Sequence, residues 1–455
     1  MALAAALYLW QLGSSSLFVD EVPTHRFIRG DLGDLFDGVA RGETSPPTYW
    51  LVLNLWNELF GSSEDWIPRL LSVVFAVALV GVVYRLGVLL GGRWAGIAAG
   101  LLTALSPLVL GYAQQARQYA LLMLVATFAV LALVEAEQRG SRRWLIAAGV
   151  AACGAVSLHY VALLVVGPLC AWVLLRSSFG LRARAVFCAV PALVFFAWVP
   201  LMLHQYDLHP NGGLGEFGEL SRGHAVRVTG SPFDIRTADE ATIVQILGAL
   251  VVMAAAGVLA WRLVRERRRD HELVLLIAVA APLGLLAAGI AGKDMVATRY
   301  AAVAVPTMIV MIGVAIAAAP RVPRAALVAA ALVAAVLGTV RTHQEDGLFP
   351  DARGAMETIA SDWREGDAVV DQSGSFGVDL PLMFYATREL PPGAPVVAAS
   401  DPRAERLTAD GRRVWIVTSD PTPALARANH LPAGRRLAMA RHFPDGPGIT
   451  LIRAE

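Results

Sequence analysis

Residues 241–291 read ATIVQILGALVVMAAAGVLAWRLVRERRRDHELVLLIAVAAPLGLLAAGIA. Two apolar runs, each of the roughly 20 residues needed to cross a ~30 Å hydrocarbon core, flank a short stretch holding Arg262, Arg265, Arg267, Arg268 and Arg269. Backbone inside hydrocarbon must satisfy its own hydrogen bonds, so each run reads as a spanning helix. Arginines crowded into a short connection mark its cytoplasmic side.

The same alternation extends outward in both directions, from Met1 to Val340. Further arginine-dense connections occur at 85–93, 135–143, 176–184 and 320–324, and with 262–271 they hold fifteen arginines. The remaining connections (20–66, 114–119, 158–160, 204–240 and 292–300) carry most of the acids, aromatics and histidines. Placing the two kinds on opposite sides requires eleven helices, near 1–17, 66–84, 94–112, 118–134, 144–157, 160–175, 185–203, 241–261, 273–291, 301–319 and 325–340. The N-terminal run lacks a basic n-region and a small-x-small cleavage site, and is expected to be a retained membrane helix. Segment 46–60 is too short to span. Its Asn54, Asn57 and Glu58 share one face, so it reads as an interfacial helix within an outer loop, 18–65.

The expected fold class is therefore a polytopic α-helical membrane protein of about eleven transmembrane helices, residues 1–340. A small extracytoplasmic α/β domain, 341–455, follows. Its β-branched runs at 367–371, 413–418 and 448–452 alternate with helix-like stretches at 352–364 and 423–429. Composition agrees. Of 455 residues 56% are hydrophobic before the 41 glycines are added, and only 16% are charged, an excess that rules out a soluble enzyme. The 38 basic and 37 acidic side chains nearly cancel, leaving no net field to recruit nucleic acid. Cys153, Cys170 and Cys188 all fall in apolar runs, so neither a disulfide framework nor a CxxC-type zinc site is available.

Ionisable groups gathered at the outer ends of the helices are the functional signal. Asp20 and Glu21 follow the first helix, with His25, Arg26 and Arg29 beyond. Such a pair can supply a base beside an acid that tunes it, or it can simply end a span at the water interface. Gln114-Gln115-Ala116-Arg117-Gln118-Tyr119 sets an arginine fork among amides and a phenol. It can grip a phosphate oxygen, or be a snorkelling arginine with an interfacial tyrosine. Lys293, Arg299 and Tyr300 open the tenth helix, where cations beside a helix N-terminus favour anions, and where interfacial anchoring is the competing role. His159, at the turn between two short helices, can be a metal ligand, a pocket wall or a loop residue.

LFVDE, then SPPTYWLVLNLWNELFGSSEDWIPRLLSVV, SPLVLGYAQQARQYAL, SLHY and ATRYAAVAVP occur in that order. This succession resembles the membrane glycosyltransferases of the C-type superfold. It is most similar to family 39, the protein O-mannosyltransferase-like group, and to relatives that transfer aminoarabinose to lipid A. The resemblance covers about residues 5–320. It implies an inverting glycosyltransferase that moves a mannose- or pentose-like sugar from a polyprenyl-phosphate carrier to a protein, glycan or lipid acceptor outside a bacterial plasma membrane.

Carried over by motif, Asp20 is the catalytic aspartate and Glu21 its acidic partner. On the same resemblance Arg117, Lys293, Arg299 and Tyr300 would bind the donor phosphate, and His25, Tyr49, Gln115, Tyr119 and His159 are pocket candidates. A phosphate leaving group needs cations more than a general acid, so one base and a cationic clamp suffice. Relatives often read QEAR where this chain reads QQAR, which leaves that turn without its carboxylate. Asp20, Glu21, His25, Glu43, His159 and His204 are possible metal ligands, but no closely spaced set emerges, and no cofactor is expected. The alternative reading is a transporter or lipid-linked sugar flippase. Transporters place ionisable groups near the bilayer midplane, whereas the centres of the second, fourth, eighth and eleventh helices carry no charge.

Overall fold

The computed structural model describes residues 1–60, 64–208, 222–235, 242–291, 298–344, 350–374, 376–409, 412–432, 434–444 and 448–455. Two compact units emerge: Met1–Trp10 with Phe27–Val340, and Gln11–Arg26 with Arg341–Glu455.

The first unit is helical. Among the described residues, Trp66–Ala104, Tyr119–Arg139, Leu181–Leu208, Ile243–Glu266, Arg269–Ile290, Thr298–Ala318 and Arg321–Thr342 are long and apolar enough to cross a membrane, and Tyr160–Arg176 is a shorter apolar helix. Trp66–Ala104 folds back on itself as two arms. At Gly92 the backbone turns with φ of 80°, a conformation that glycine adopts at little cost. The two arms then pack so closely that a Cβ on Gly87 would lie 2.9 Å from Gly96 Cα, and one on Gly96 would lie 2.7 Å from Tyr84 O. The arginine loop expected at 85–93 therefore shrinks to a turn. Arg85 sits on the first arm, where it pairs with buried Glu135 at 2.6 Å.

The helix expected at 1–17 is only Ala2–Leu9. Beyond it Gln11 has a positive φ of 57°, and Ser14 Oγ bonds back to Gln11 O at 2.8 Å. Serine hydroxyls that satisfy nearby backbone in this way compete with helix, which is why the Gly13-Ser14-Ser15-Ser16 stretch ends it. Thr48–Phe60 is helical as expected. Asn54 and Asn57 reach the Ile28 carbonyl at 3.5 and 3.4 Å, while Leu55, Leu59 and Phe60 are exposed. The amides cap a loop carbonyl, and the apolar residues form the outward face.

The second unit is α/β. Its sheet, in the order β2-β1-β3-β5-β4, comprises β1 (Ala368–Asp371), β2 (Val396–Ala398), β3 (Val414–Thr418), β4 (Leu437–Phe443) and β5 (Ile449–Ala454). β1 runs parallel to β2 and β3, while β5 is antiparallel to β3 and β4. Strands β2 and β4 were not expected from the sequence: β2 is three residues long, and β4 (LAMARHF) mixes polar with apolar positions at a half-buried edge. The helix Ala352–Ser361 covers one face with Ala352, Ala355, Met356 and Ile359, and Leu17 and Val22 from the N-terminal segment complete that core. Residues 11–26, expected with the membrane part, thus pack with the α/β unit.

At the C-terminal end of β1, burial and the neighbouring Asp379 carboxylate push the Asp371 carboxyl up to about 7. A carboxyl whose folded pKa is raised favours folding below its ordinary value near 3.8 and opposes it progressively as pH rises through 7. Melting of the full chain is therefore expected to show a falling contribution from this group between about pH 4 and 7. Asp371→Asn should be more stable than wild type at about pH 8 and gain nothing at about pH 4. A wild-type advantage at pH 8 would contradict this.

Candidate active site

Three breaks in the helices of the first unit bring its site residues together. Pro107–Ala113 ends at Gln114 and the next helix begins at Tyr119, so Gln115–Gln118 form a short turn carrying Arg117. Arg142–Leu158 ends at His159, whose backbone is extended and whose Nδ1 accepts from Val161 N at 3.3 Å, capping a short 3-10 turn, Tyr160–Ala162. Between Thr298–Ala301 and Val305–Ala318 the helix tightens into a 3-10 turn at Ala302–Ala304. Pro306 follows; its ring and missing N–H act against the carbonyl of Ala302, four residues back. These breaks lie at the helix ends opposite the arginine-rich turns.

Aromatic rings line the cluster. Tyr119 packs on Tyr112 with centroids 4.5 Å apart, and His159 lies 5.9 Å from Tyr119 and 5.8 Å from Tyr300. The Arg299 guanidinium stands over Tyr300 at 5.4 Å, and Arg117 over Trp50 at 5.6 Å. Burial, then the nearby charges of Arg117 and Arg299, lower the His159 imidazole to about 3. At ordinary pH His159 is neutral. With Nδ1 accepting, Nε2 carries the proton, and the ring offers a hydrogen-bond donor without charge.

Arg117 is held by Glu43 in a two-pronged pair, Nη1 to Oε1 at 2.6 Å and Nη2 to Oε2 at 2.8 Å, both side chains buried. The carboxylate that pairs with Arg117 thus comes from the first loop and not from the QQAR turn itself. The loop is anchored further. Gln205 Nε2 donates to Val39 O and Ser45 O at 3.1 and 3.0 Å, Tyr160 Oη donates to Gln205 Oε1 at 2.9 Å, and Gln118 Nε2 reaches Ser45 Oγ at 3.4 Å. Tyr49 is fully buried edge-on to Trp50, 5.7 Å away, and Gln115 is buried with its carbonyl accepting from Arg117 N at 2.9 Å.

Of the residues expected in the site, the structure assembles Arg117, Tyr119, His159, Arg299 and Tyr300, with Tyr49 and Gln115 adjoining through Trp50 and Arg117. Lys293 lies outside the described residues. Asp20, Glu21 and His25 belong to the other unit. There Glu21 is buried and its Oε2 accepts from Phe18 N at 2.9 Å, His25 packs edge-on to Phe384 at 5.8 Å, and Asp20 is half-buried. Glu43, Gln205, Ser45 and Trp50 were missed as pocket residues. An acid in one outer loop and a lone arginine in another was the available signal for the first; nothing in the sequence marks the others. Among the described residues no group of three or more His, Cys, Asp or Glu side chains is placed to hold a metal ion.

The helical membrane unit and the small α/β unit make a fold that solved structures of ArnT and of an archaeal oligosaccharyltransferase share. Residues 44–204 match the family model described as dolichyl-phosphate-mannose-protein mannosyltransferase. The chain is similar to ArnT from Cupriavidus metallidurans, solved apo and bound to undecaprenyl phosphate. TM-scores are 0.60 and 0.61 at 15% identity, covering 99% of this chain and 96% of that one. It is also similar to the oligosaccharyltransferase AglB from Archaeoglobus fulgidus, in complex with an inhibitory peptide and a dolichol-phosphate, with TM-score 0.55 at 11% identity, covering 91% of this chain and 68% of that one. No curated protein is a significant sequence match.

Proposed function

We propose that this chain transfers a mannose- or pentose-like sugar from a polyprenyl-phosphate carrier to a hydroxyl acceptor on the outer face of a bacterial plasma membrane, with inversion. The observation that carries the proposal is the buried cluster in which Arg117 and Arg299 flank a neutral His159 within an aromatic wall. In this reading the acceptor oxygen bonds the anomeric carbon as the bond from that carbon to the carrier phosphate breaks. A base takes the proton, the role that the sequence resemblance gives Asp20, and the electron pair stays on the departing phosphate. Charge developing on that phosphate is what fixed cations and a fixed N–H donor stabilise best. In this reading the cationic work is divided: Arg117, whose fork is paired with Glu43, orients the loop, while Arg299 and His159 Nε2 meet the phosphate. The similarity to structures holding undecaprenyl phosphate and dolichol-phosphate supports the choice of carrier.

Arg299→Ala should weaken use of the lipid-linked donor by about 1–3 kcal/mol, or about 5- to 150-fold in kcat/KM. Arg299→Lys should recover only part, because a point charge cannot reproduce the planar fork. Steady-state transfer with varied donor measures both. Unchanged donor kinetics in Arg299→Ala would remove it from the phosphate site.

The same proposal places the α/β unit outside and the arginine-rich turns inside. In a cysteine-free background, an impermeant thiol reagent should label Glu365→Cys in intact cells and spare Arg182→Cys until the membrane is opened. The opposite pattern would invert the topology.

A further inference from the structure

Far along the helices from the proposed active site, at the arginine-rich end of the first unit, lies a cavity of about 260 Å³ lined by Val134, Glu137, Gln138, Trp172, Ser178, Arg269, Asp270 and Leu273. Its walls come from Tyr119–Arg139, from the last turns of Leu163–Arg176, and from the start of Arg269–Ile290. The space is more than ten times the ~10–15 Å³ that one water needs, and close to the lower bound of ordinary ligand pockets, about 300 Å³.

Hydrogen bonding around it is lopsided. Both carboxylates are already served. Glu137 accepts from Ser177 Oγ at 2.5 Å and Ser178 N at 2.9 Å, and Asp270 accepts from Gln138 Nε2 at 3.1 Å, Arg268 Nη2 at 2.8 Å and His271 N at 3.0 Å. The cationic and indole donors are not. Arg269 is exposed and bonds only through Nη1 to Arg176 O at 3.0 Å among the described residues. Trp172 is 2% exposed, and its Nε1 meets no acceptor among the described residues. A buried N–H left without an acceptor is costly, so such a group points to a partner of the opposite kind. Val134 and Leu273 supply an apolar floor. Spare donors, a guanidinium and an apolar floor at the end of membrane helices suit a phosphate diester whose acyl chains lie in the bilayer.

We infer that this cavity binds a phosphate-bearing headgroup, that of an anionic phospholipid, separately from the proposed active site. Trp172 Nε1 and Arg269 donate to the phosphate oxygens, and the lipid joins the ends of the three helices that form the walls.

The test uses the full chain purified in an uncharged detergent, with melting temperature and native mass spectrometry as readouts. Probes are dioleoyl phosphatidylglycerol, dioleoyl phosphatidylcholine and inorganic phosphate. Phosphatidylglycerol should raise the melting temperature and remain bound in the spectrometer, while phosphatidylcholine should not. Trp172→Phe keeps the ring and deletes the donor, and Arg269→Gln deletes the charge at an exposed position. Each should weaken the apparent affinity for phosphatidylglycerol about tenfold, as expected for one charge-assisted or buried hydrogen bond. Arg143→Gln, an exposed arginine that does not line the cavity, should leave it unchanged. Comparable stabilisation by inorganic phosphate, lost in the same two variants, would assign the cavity to free phosphate and overturn the lipid. Wild-type affinity in both Arg269→Gln and Trp172→Phe, or an equal loss in Arg143→Gln, would reduce the effect to general surface charge and sink the site. Should Trp172→Phe melt early without lipid, Arg269→Gln decides alone.

Discussion

Asp20→Asn is expected to lower sugar transfer by about 10²–10⁴-fold, the usual worth of general-base assistance, while leaving melting within about 0.5 kcal/mol of wild type. The substitution preserves shape and much of the hydrogen bonding but removes the basic oxygen. Asp20 is half-buried, and its backbone carbonyl accepts from Thr24 Oγ1 at 3.2 Å, a bond that the change leaves alone. Glu21 is a different case. Its fully buried carboxylate accepts from Phe18 N, so Glu21→Gln should cost stability as well as rate. The measurement is turnover with a polyprenyl-phosphate sugar alongside a thermal-shift control. An Asp20→Asn protein that keeps more than about a tenth of wild-type turnover, well above the general-base expectation, ends the case for Asp20 as the base.

Arg117→Ala should destabilise the first unit by about 3–5 kcal/mol, because it strands the Glu43 carboxylate in a buried site without its cation. Glu43→Ala should cost a similar amount for the mirror-image reason. Replacing both with apolar residues, Arg117→Met with Glu43→Leu, should recover much of that stability, since two desolvation costs vanish together with the pair. Transfer should stay low in all three, because the loop holding Tyr49 and Trp50 loses its charged anchor. Chemical or thermal melting of wild type, the two alanine variants and the double Arg117→Ala with Glu43→Ala closes the cycle. Additive single-variant losses would mean that Glu43 and Arg117 act independently despite their 2.6 and 2.8 Å contacts.

The membrane helices were legible because hydrophobic length is a strong signal. The break at His159, the helix starting beside Tyr119 and the edges of Ile243–Glu266 fall within a few residues of expectation. Where reading failed, short-range chemistry was the cause. The first helix stops at Leu9, and beyond it Ser14 Oγ serves the Gln11 carbonyl, although the neighbouring residues are apolar. The hairpin at Gly92 hides in a run that looks like a polar loop, since only a close approach of Gly87 and Gly96 lets two arms share so small a turn. Asn54 and Asn57 share a face as expected, but the Ile28 carbonyl they serve lies 26 and 29 positions away, and no local pattern names it. Site residues were readable as types, an arginine among amides or a histidine at a turn. The partnership of Glu43 with Arg117 spans 74 positions, and no local pattern announces it.

Leu17 and Val22 fill the same core as residues from β3 and β5, so the segment carrying Asp20 gains its packing from chain made more than 330 positions later. At about 5–20 residues per second of synthesis, that segment waits on the order of tens of seconds for the strands that complete its surroundings. Every membrane helix is made before the proposed base is set in place. On the proposal that Asp20 is the base, a ribosome that stalls before strand β5 leaves it in a segment without its core partners, and transfer then waits on the α/β unit.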